Sequence, residues 1–134
     1  MIMRKKRMKL RVAIYAHTSK KRDNIHEQIY NCRIFAIEQG WQTFDIFLDE
    51  NLLDIRTDRP DLSLLKLEAA AGYFDIVLCD HSDRITPNIW EIRDFLVNLH
   101  NCGVRSWSVK EGSLHGMRVW LQETLPDLDN PADG

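Results

Sequence analysis

A serine at the end of an apolar strand is the residue of this chain best placed for covalent chemistry. Leu10-Arg11-Val12-Ala13-Ile14-Tyr15-Ala16 reads as a buried strand and runs through His17-Thr18 into Ser19, just ahead of a helix-like stretch. A hydroxyl at the carboxyl end of a strand and before a helix N-terminus is well placed to meet a phosphate or another anion. To act as a nucleophile it needs partners that activate it and stabilise the charge of the transition state. Capping the nearby helix is the plain alternative for a serine there. Three further polar sets close apolar segments: Asp49, the run Asp80 to Arg84, and Lys110-Glu111. Cys79-Asp80-His81 and His100-Asn101-Cys102 each bring a thiol near an imidazole, but their spacings match no common zinc pattern, and no metal site is expected.

The elements that must position these groups alternate along the chain. After the first strand, Asp23–Gln39 carries Ile25, Ile29, Cys32 and Ala36 at helical spacing, and Gly40 ends it. Trp41–Asp49 alternates Phe44, Ile46 and Leu48 with polar neighbours, as a strand does. A polar loop from Glu50 to Arg59 leads to Pro60, which opens a second helix through Leu62, Leu65 and Ala69 to Gly72. Phe74–Cys79 is a buried strand, and Thr86-Pro87 predicts an N-cap with proline in the first helical position. That helix carries Ile89, Ile92, Leu96 and Leu99 to Gly103; Val104–Val109 follows as a fourth strand. Met117, Trp120, Leu121 and Leu125 mark a last amphipathic stretch. Strands separated by helices of this length imply an α/β fold of three layers, a mostly parallel central sheet with helices on both faces. Polar groups beyond the carboxyl ends of such strands converge, so the four sets belong to one candidate site.

Composition sets the outer limits. The 134 residues suit one domain, and 44% hydrophobic with 28% charged residues suits a folded one. No apolar run is long enough to span a bilayer, and the start lacks the apolar segment of a signal peptide. Three cysteines without a Cys-x-x-Cys pair fit reduced thiols in the cytoplasm. Six of the 18 basic residues lie between Arg4 and Arg11, leaving 12 basic against 20 acidic elsewhere. Residues 1–9 therefore read as a basic arm able to touch a phosphate backbone, or as an extended start without a role. Residues 10–125 form the domain, and 126–134 an acidic tail that DNA would repel. No separate DNA-binding domain and no membrane contact are expected.

Four stretches, in order and at natural spacing over roughly residues 10 to 112, resemble the catalytic domain of the serine recombinases, the resolvase and invertase family. They are Val12 to Ser19; Asp49 with Thr57-Asp58-Arg59-Pro60; Gly72 to Leu78 with Asp83-Arg84; and Val109-Lys110-Glu111-Gly112. The resemblance implies attack by the serine on a DNA phosphodiester, a covalent phosphoserine intermediate and rejoining, with no metal or small-molecule cofactor. Side chains must then meet the phosphoryl charge, a task that suits the planar arginine fork. Carried over by position, Ser19 is the nucleophile and Arg59 and Arg84 bind phosphate. Asp83 orients the arginines or assists proton transfer, Gln28 hydrogen-bonds within the site, and Asp49 supports its network. Surface pairing of Arg59 and Arg84 with Asp58 and Asp83 is the plain alternative.

Three positions depart from the family pattern. An arginine two residues before the serine is His17 here, a glutamine four residues after it is Asp23, and an arginine three residues beyond Asp83-Arg84 is Pro87. Losing one preorganised donor costs about 10²–10³ in rate, and losing two independent ones about 10⁴–10⁶. Lys20, Lys21 and Arg22 offer replacement charge only on flexible stems. The resemblance thus implies a recombinase-like domain of reduced or lost activity that binds DNA weakly or through a recombinase partner or second copy. The alternative is a non-catalytic interaction or regulatory module that pairs with a full-length recombinase or another DNA-processing protein.

Overall fold

The computed structural model describes residues 9–18, 24–50 and 59–125. Ser19, Asp23, the Lys20–Arg22 run, Thr57-Asp58, most of the basic arm and the acidic tail lie outside the described residues. Within them the order is β1 (Arg11–Thr18), α1 (Ile25–Gln39), β2 (Gln42–Glu50), α2 (Pro60–Ala70), β3 (Ile76–Cys79), α3 (Ile89–Asn101), β4 (Arg105–Ser108), β5 (Gly112–Ser113) and α4 (His115–Thr124). A 3₁₀ turn, Ser82–Arg84, follows β3. The sheet order is β2-β1-β3-β4-β5, with β1 parallel to β2 and β3, β3 parallel to β4, and β5 antiparallel to β4. The α/β expectation of a mostly parallel sheet with helices on both faces is met.

Alternation along β1 divides the core. Val12 and Ile14, with Ile76 and Leu78 of β3, pack against Cys32 and Ala36 of α1. Ala13 and Tyr15, with Phe47, Val77 and Cys79, face Leu62 and Leu65 of α2, Ile92, Phe95 and Leu96 of α3, and Leu121 of α4. Each such aliphatic or aromatic side chain taken out of water stabilises the fold by roughly 1.5–3 kcal/mol before entropy is charged against it.

Local chemistry sets the ends of the helices. Asn24 caps α1, its side chain accepting from the amides of His26 and Glu27, and Gly40 closes it at φ 78°, a left-handed conformation that suits glycine. The cap of α3 is Asn88, not Thr86: Asn88 Oδ1 accepts from Trp90 N and Glu91 N at 2.9 and 3.1 Å, and Thr86 Oγ1 accepts from Asn88 N. Pro87 therefore stands one residue before the cap rather than inside the helix. The correction has a simple cause, since an amide oxygen placed at position 88 reaches both unpaired amides of the first turn. β5 is the strand that periodicity did not predict, because two residues are too few to carry a pattern.

Candidate active site

The carboxyl ends of β1, β2 and β3 carry the candidate residues to one edge of the sheet. β1 extends past Ala16, pairing His17 with Asp49 and Thr18 with Glu50. Its end is gripped from α1: Gln28, 2% exposed, accepts from His17 N at 3.1 Å and donates to His17 O at 3.0 Å. Gln28 thus spends its amide on the main chain two residues before Ser19.

Asp49 is 4% exposed and holds three donors. Tyr15 Oη donates to Oδ2 at 2.8 Å, Leu62 N donates to Oδ2 at 3.0 Å, and Asp61 N donates to Oδ1 at 3.0 Å. Two of these are unpaired first-turn amides of α2, which lacks a side-chain cap of its own at Arg59. The β2 carboxylate caps α2 from outside, where its charge also suits the positive end of the helix. Asp61 answers by accepting from Leu48 N at 2.9 Å, so strand and helix are tied both ways. Burial and the neighbouring Asp49 carboxylate push the Tyr15 phenol well above its ordinary range, which keeps it a donor.

Capping α2 this way fixes Arg59, the residue before Pro60. Its guanidinium lies beside the Tyr15 phenol, and Nη1 donates to Arg84 O at 3.4 Å. The Arg59 side chain thus reaches the main chain of the connection that carries Arg84. Asp83 sits apart from that buried network: its side chain is 60% exposed and its Oδ1 is 4.0 Å from Arg84 Nε. Arg59 also lines a hollow of about 410 Å³ between α2 and α3, with Lys66, Asn88, Glu91 and Pro87 among its walls. The proline therefore faces the same space as the arginine.

A second network fixes the turn that carries Asp83 and Arg84. Glu111 accepts from Ser82 N, Ser82 Oγ and Ser108 Oγ at 2.8, 2.7 and 2.6 Å, and His81 Nε2 lies 3.5 Å away. Burial pushes the Glu111 carboxyl up, but the hydrogen bonds from Ser108 and Ser82 and the nearby His81 outweigh it and hold it below the ordinary range. Beside it the buried Asp80 meets Lys110 Nζ at 3.5 Å and Asn31 Nδ2 at 3.4 Å. Of the strand-end sets read from sequence, Asp49 stands in one network and Asp80 and Glu111 in another, and Ser19 lies outside the described residues. Tyr15, Ser82 and Ser108 were missed there. Tyr15 carried a usable signal, an aromatic of β1 on the α2 side with its hydroxyl within a diagonal step of Asp49.

Among the described residues no group of three His, Cys, Asp or Glu side chains is placed to hold a metal ion. Cys32 and Cys79 are buried, and burial lifts both thiols, Cys32 to about 12. No described helix is long and apolar enough to cross a membrane.

A family model described as the resolvase N-terminal domain matches residues 12–124. Among solved structures, the N-terminal catalytic domain of TP901-1 integrase is 25% identical, with a TM-score of 0.72 over 84% of this chain and 89% of its own. A resolvase family site-specific recombinase from Streptococcus pneumoniae is 17% identical, with a TM-score of 0.77 over 86% of this chain and 85% of its own. The C-terminal catalytic domain of ISC1926 TnpA, an IS607-like serine recombinase, is 21% identical, with a TM-score of 0.66 over 83% and 78%. No curated protein matches the chain.

Proposed function

The chain belongs to the resolvase N-terminal domain family, and we propose that it is a serine recombinase-type domain in which Ser19 is the nucleophile and unaided cleavage of DNA is weak or lost. In this reading residues 10–125 are the catalytic-type domain, between a basic arm at 1–9 and an acidic tail at 126–134. It acts in the cytoplasm on DNA through a recombinase partner or a second copy. Ser19 Oγ forms a bond to the phosphorus of a phosphodiester, the bond to the departing strand breaks, and that strand leaves as a hydroxyl end bearing the transferred proton. Arg59 and Arg84 bind the phosphoryl oxygens as fixed, permanently charged donors.

The observation that supports this is that the Arg59 guanidinium, beside the Tyr15–Asp49 pair, reaches the main chain of Arg84 at the carboxyl edge of a parallel sheet. The weakening follows from two exchanged donors. Pro87, on the wall of the hollow that Arg59 lines, has no side-chain donor to offer. Residue 17 is a histidine, whose imidazole is a poorer and pH-dependent replacement for a guanidinium. Asp83, exposed at the rim, assists the arginines from outside the buried network.

Pro87 also favours a second reading, a non-catalytic module that pairs with a full-length recombinase. One experiment separates the two. The protein is incubated with supercoiled and nicked DNA carrying candidate sites, alone and as the His17→Arg/Pro87→Arg variant. A covalent protein–DNA adduct that Ser19→Ala abolishes supports the enzyme, and a larger yield in the double variant supports the stated cause of weakness. No adduct in either form, with recovery of a recombinase in a pull-down, supports the module.

A further inference from the structure

A cavity of about 480 Å³ lies between the end of α3, the start of β4 and the first turns of α4. It is lined at the amino end of β4, whereas Asp49, Arg59 and Arg84 stand at the carboxyl edge of the parallel strands. Its volume is in the range of small-molecule sites. Among its walls are His100, Arg105, His115 and Arg118, and none of its lining residues is acidic.

Arg118 is the buried charge of this cavity. It is 8% exposed, and among the described residues no carboxylate lies within ion-pair reach of it. Its contacts are with neutral groups: Nη1 donates to Gln122 Oε1, and Nη2 is 3.1 Å from His115 Nδ1. A guanidinium has five N–H donors and accepts nothing. His115 Nδ1 is therefore the acceptor, its ring hydrogen is on Nε2, and three donors of Arg118 remain for another group. A buried cation without a counter-ion is costly, and an anion in the cavity offsets that cost. Arg105, exposed at the rim, adds a second guanidinium that stands near Asp75. Leu96 and Val104, both buried, add apolar wall.

We propose that this cavity binds a small organic phosphate, its oxyanion held by Arg118, Arg105 and His115 Nε2, and its apolar part against Leu96 and Val104. The site is separate from the strand-cleavage reading and stands whether or not Ser19 is active. The test titrates the full chain with phenyl phosphate and follows backbone amides and arginine Nε–Hε signals by NMR, with benzoate and matched sodium chloride as controls. Saturable shifts at residues 103–106 and 113–118 are expected, with affinity lowered about tenfold by Arg105→Ala, the loss of one charge-assisted hydrogen bond. Arg118→Met is expected to abolish binding, and Arg105→Ala keeps the test decisive if Arg118→Met fails to fold. Shifts that do not saturate, that sodium chloride reproduces, or that Arg105→Ala leaves unchanged overturn the proposal. Benzoate binding as tightly as phenyl phosphate overturns the assignment of a phosphate.

Discussion

Replacing Asp49 by asparagine changes one oxygen into an amino group and tests the idea that this carboxylate caps α2 and so fixes Arg59 at its start. The native side chain accepts from Asp61 N on Oδ1 and from Tyr15 Oη and Leu62 N on Oδ2. If asparagine keeps its oxygen towards Asp61 N, the new NH₂ faces Leu62 N, donor against donor. If it keeps the oxygen towards Leu62 N, the NH₂ faces Asp61 N instead. The Tyr15 hydroxyl can turn and accept, but a backbone N–H cannot, so either rotamer leaves one first-turn amide of α2 unsatisfied. That costs about 1–3 kcal/mol, and losing the negative charge at the helix N-terminus adds about 0.3–1 kcal/mol. The expected loss is therefore about 1.3–4 kcal/mol, or about 5–16 °C in Tm at roughly 4 °C per kcal/mol for a domain of this size. Urea and thermal unfolding followed by circular dichroism measure it. Because the Tyr15 hydroxyl bonds the same side chain in either rotamer, Tyr15→Phe is expected to be non-additive with Asp49→Asn in a double-mutant cycle. A loss below about 0.5 kcal/mol, the ordinary range for a surface substitution, would refute the claim that Asp49 caps α2 and thereby fixes Arg59.

Other outcomes follow from the same two networks. Gln28→Leu removes both hydrogen bonds to the His17 main chain from a site with almost no access to water, and is expected to cost about 2–4 kcal/mol. Hydrogen exchange at His17 N should rise in that variant; unchanged exchange would show that the grip is not made in solution. Glu111 titrates lower in the folded chain than in the unfolded one, so its contribution is complete above the ordinary glutamate value near 4.3 and is lost as pH falls from there through the lower folded value. Unfolding measured from pH 6 down to pH 2 should therefore show a steeper acid loss for the native chain than for Glu111→Gln, and parallel curves would exclude that role.

Much of the fold was legible because β1 and β3 are unbroken apolar runs bounded by polar turns, a pattern that a strand buried on both faces produces. Helix boundaries were less so. Thr86-Pro87 has the residue types of a start, yet Asn88 sits where its amide oxygen reaches two amides, and that choice depends on backbone angles that no residue type reveals. β5 is held by Trp107 and Ser108 across a turn rather than by its own two residues. Among the candidate site residues, Arg59, Arg84 and Asp49 were nameable from ordered motifs and Gln28 by its position, but their contacts were not. Asp49 serves a helix 12 and 13 residues away, and Gln28 serves a main chain 11 residues away. Such pairings exist only once strand register and helix face are set.

The hold that Gln28 keeps on β1 is indifferent to the side chain at position 17. Both of its hydrogen bonds end on peptide atoms, which every amino acid supplies except proline at the nitrogen. Position 17 can therefore exchange one functional group for another without removing the two hydrogen bonds by which Gln28 holds β1. An alteration of chemistry there is separable from an alteration of shape, and the same holds in reverse. An arginine at 17 would offer Gln28 the same peptide nitrogen and oxygen that histidine does.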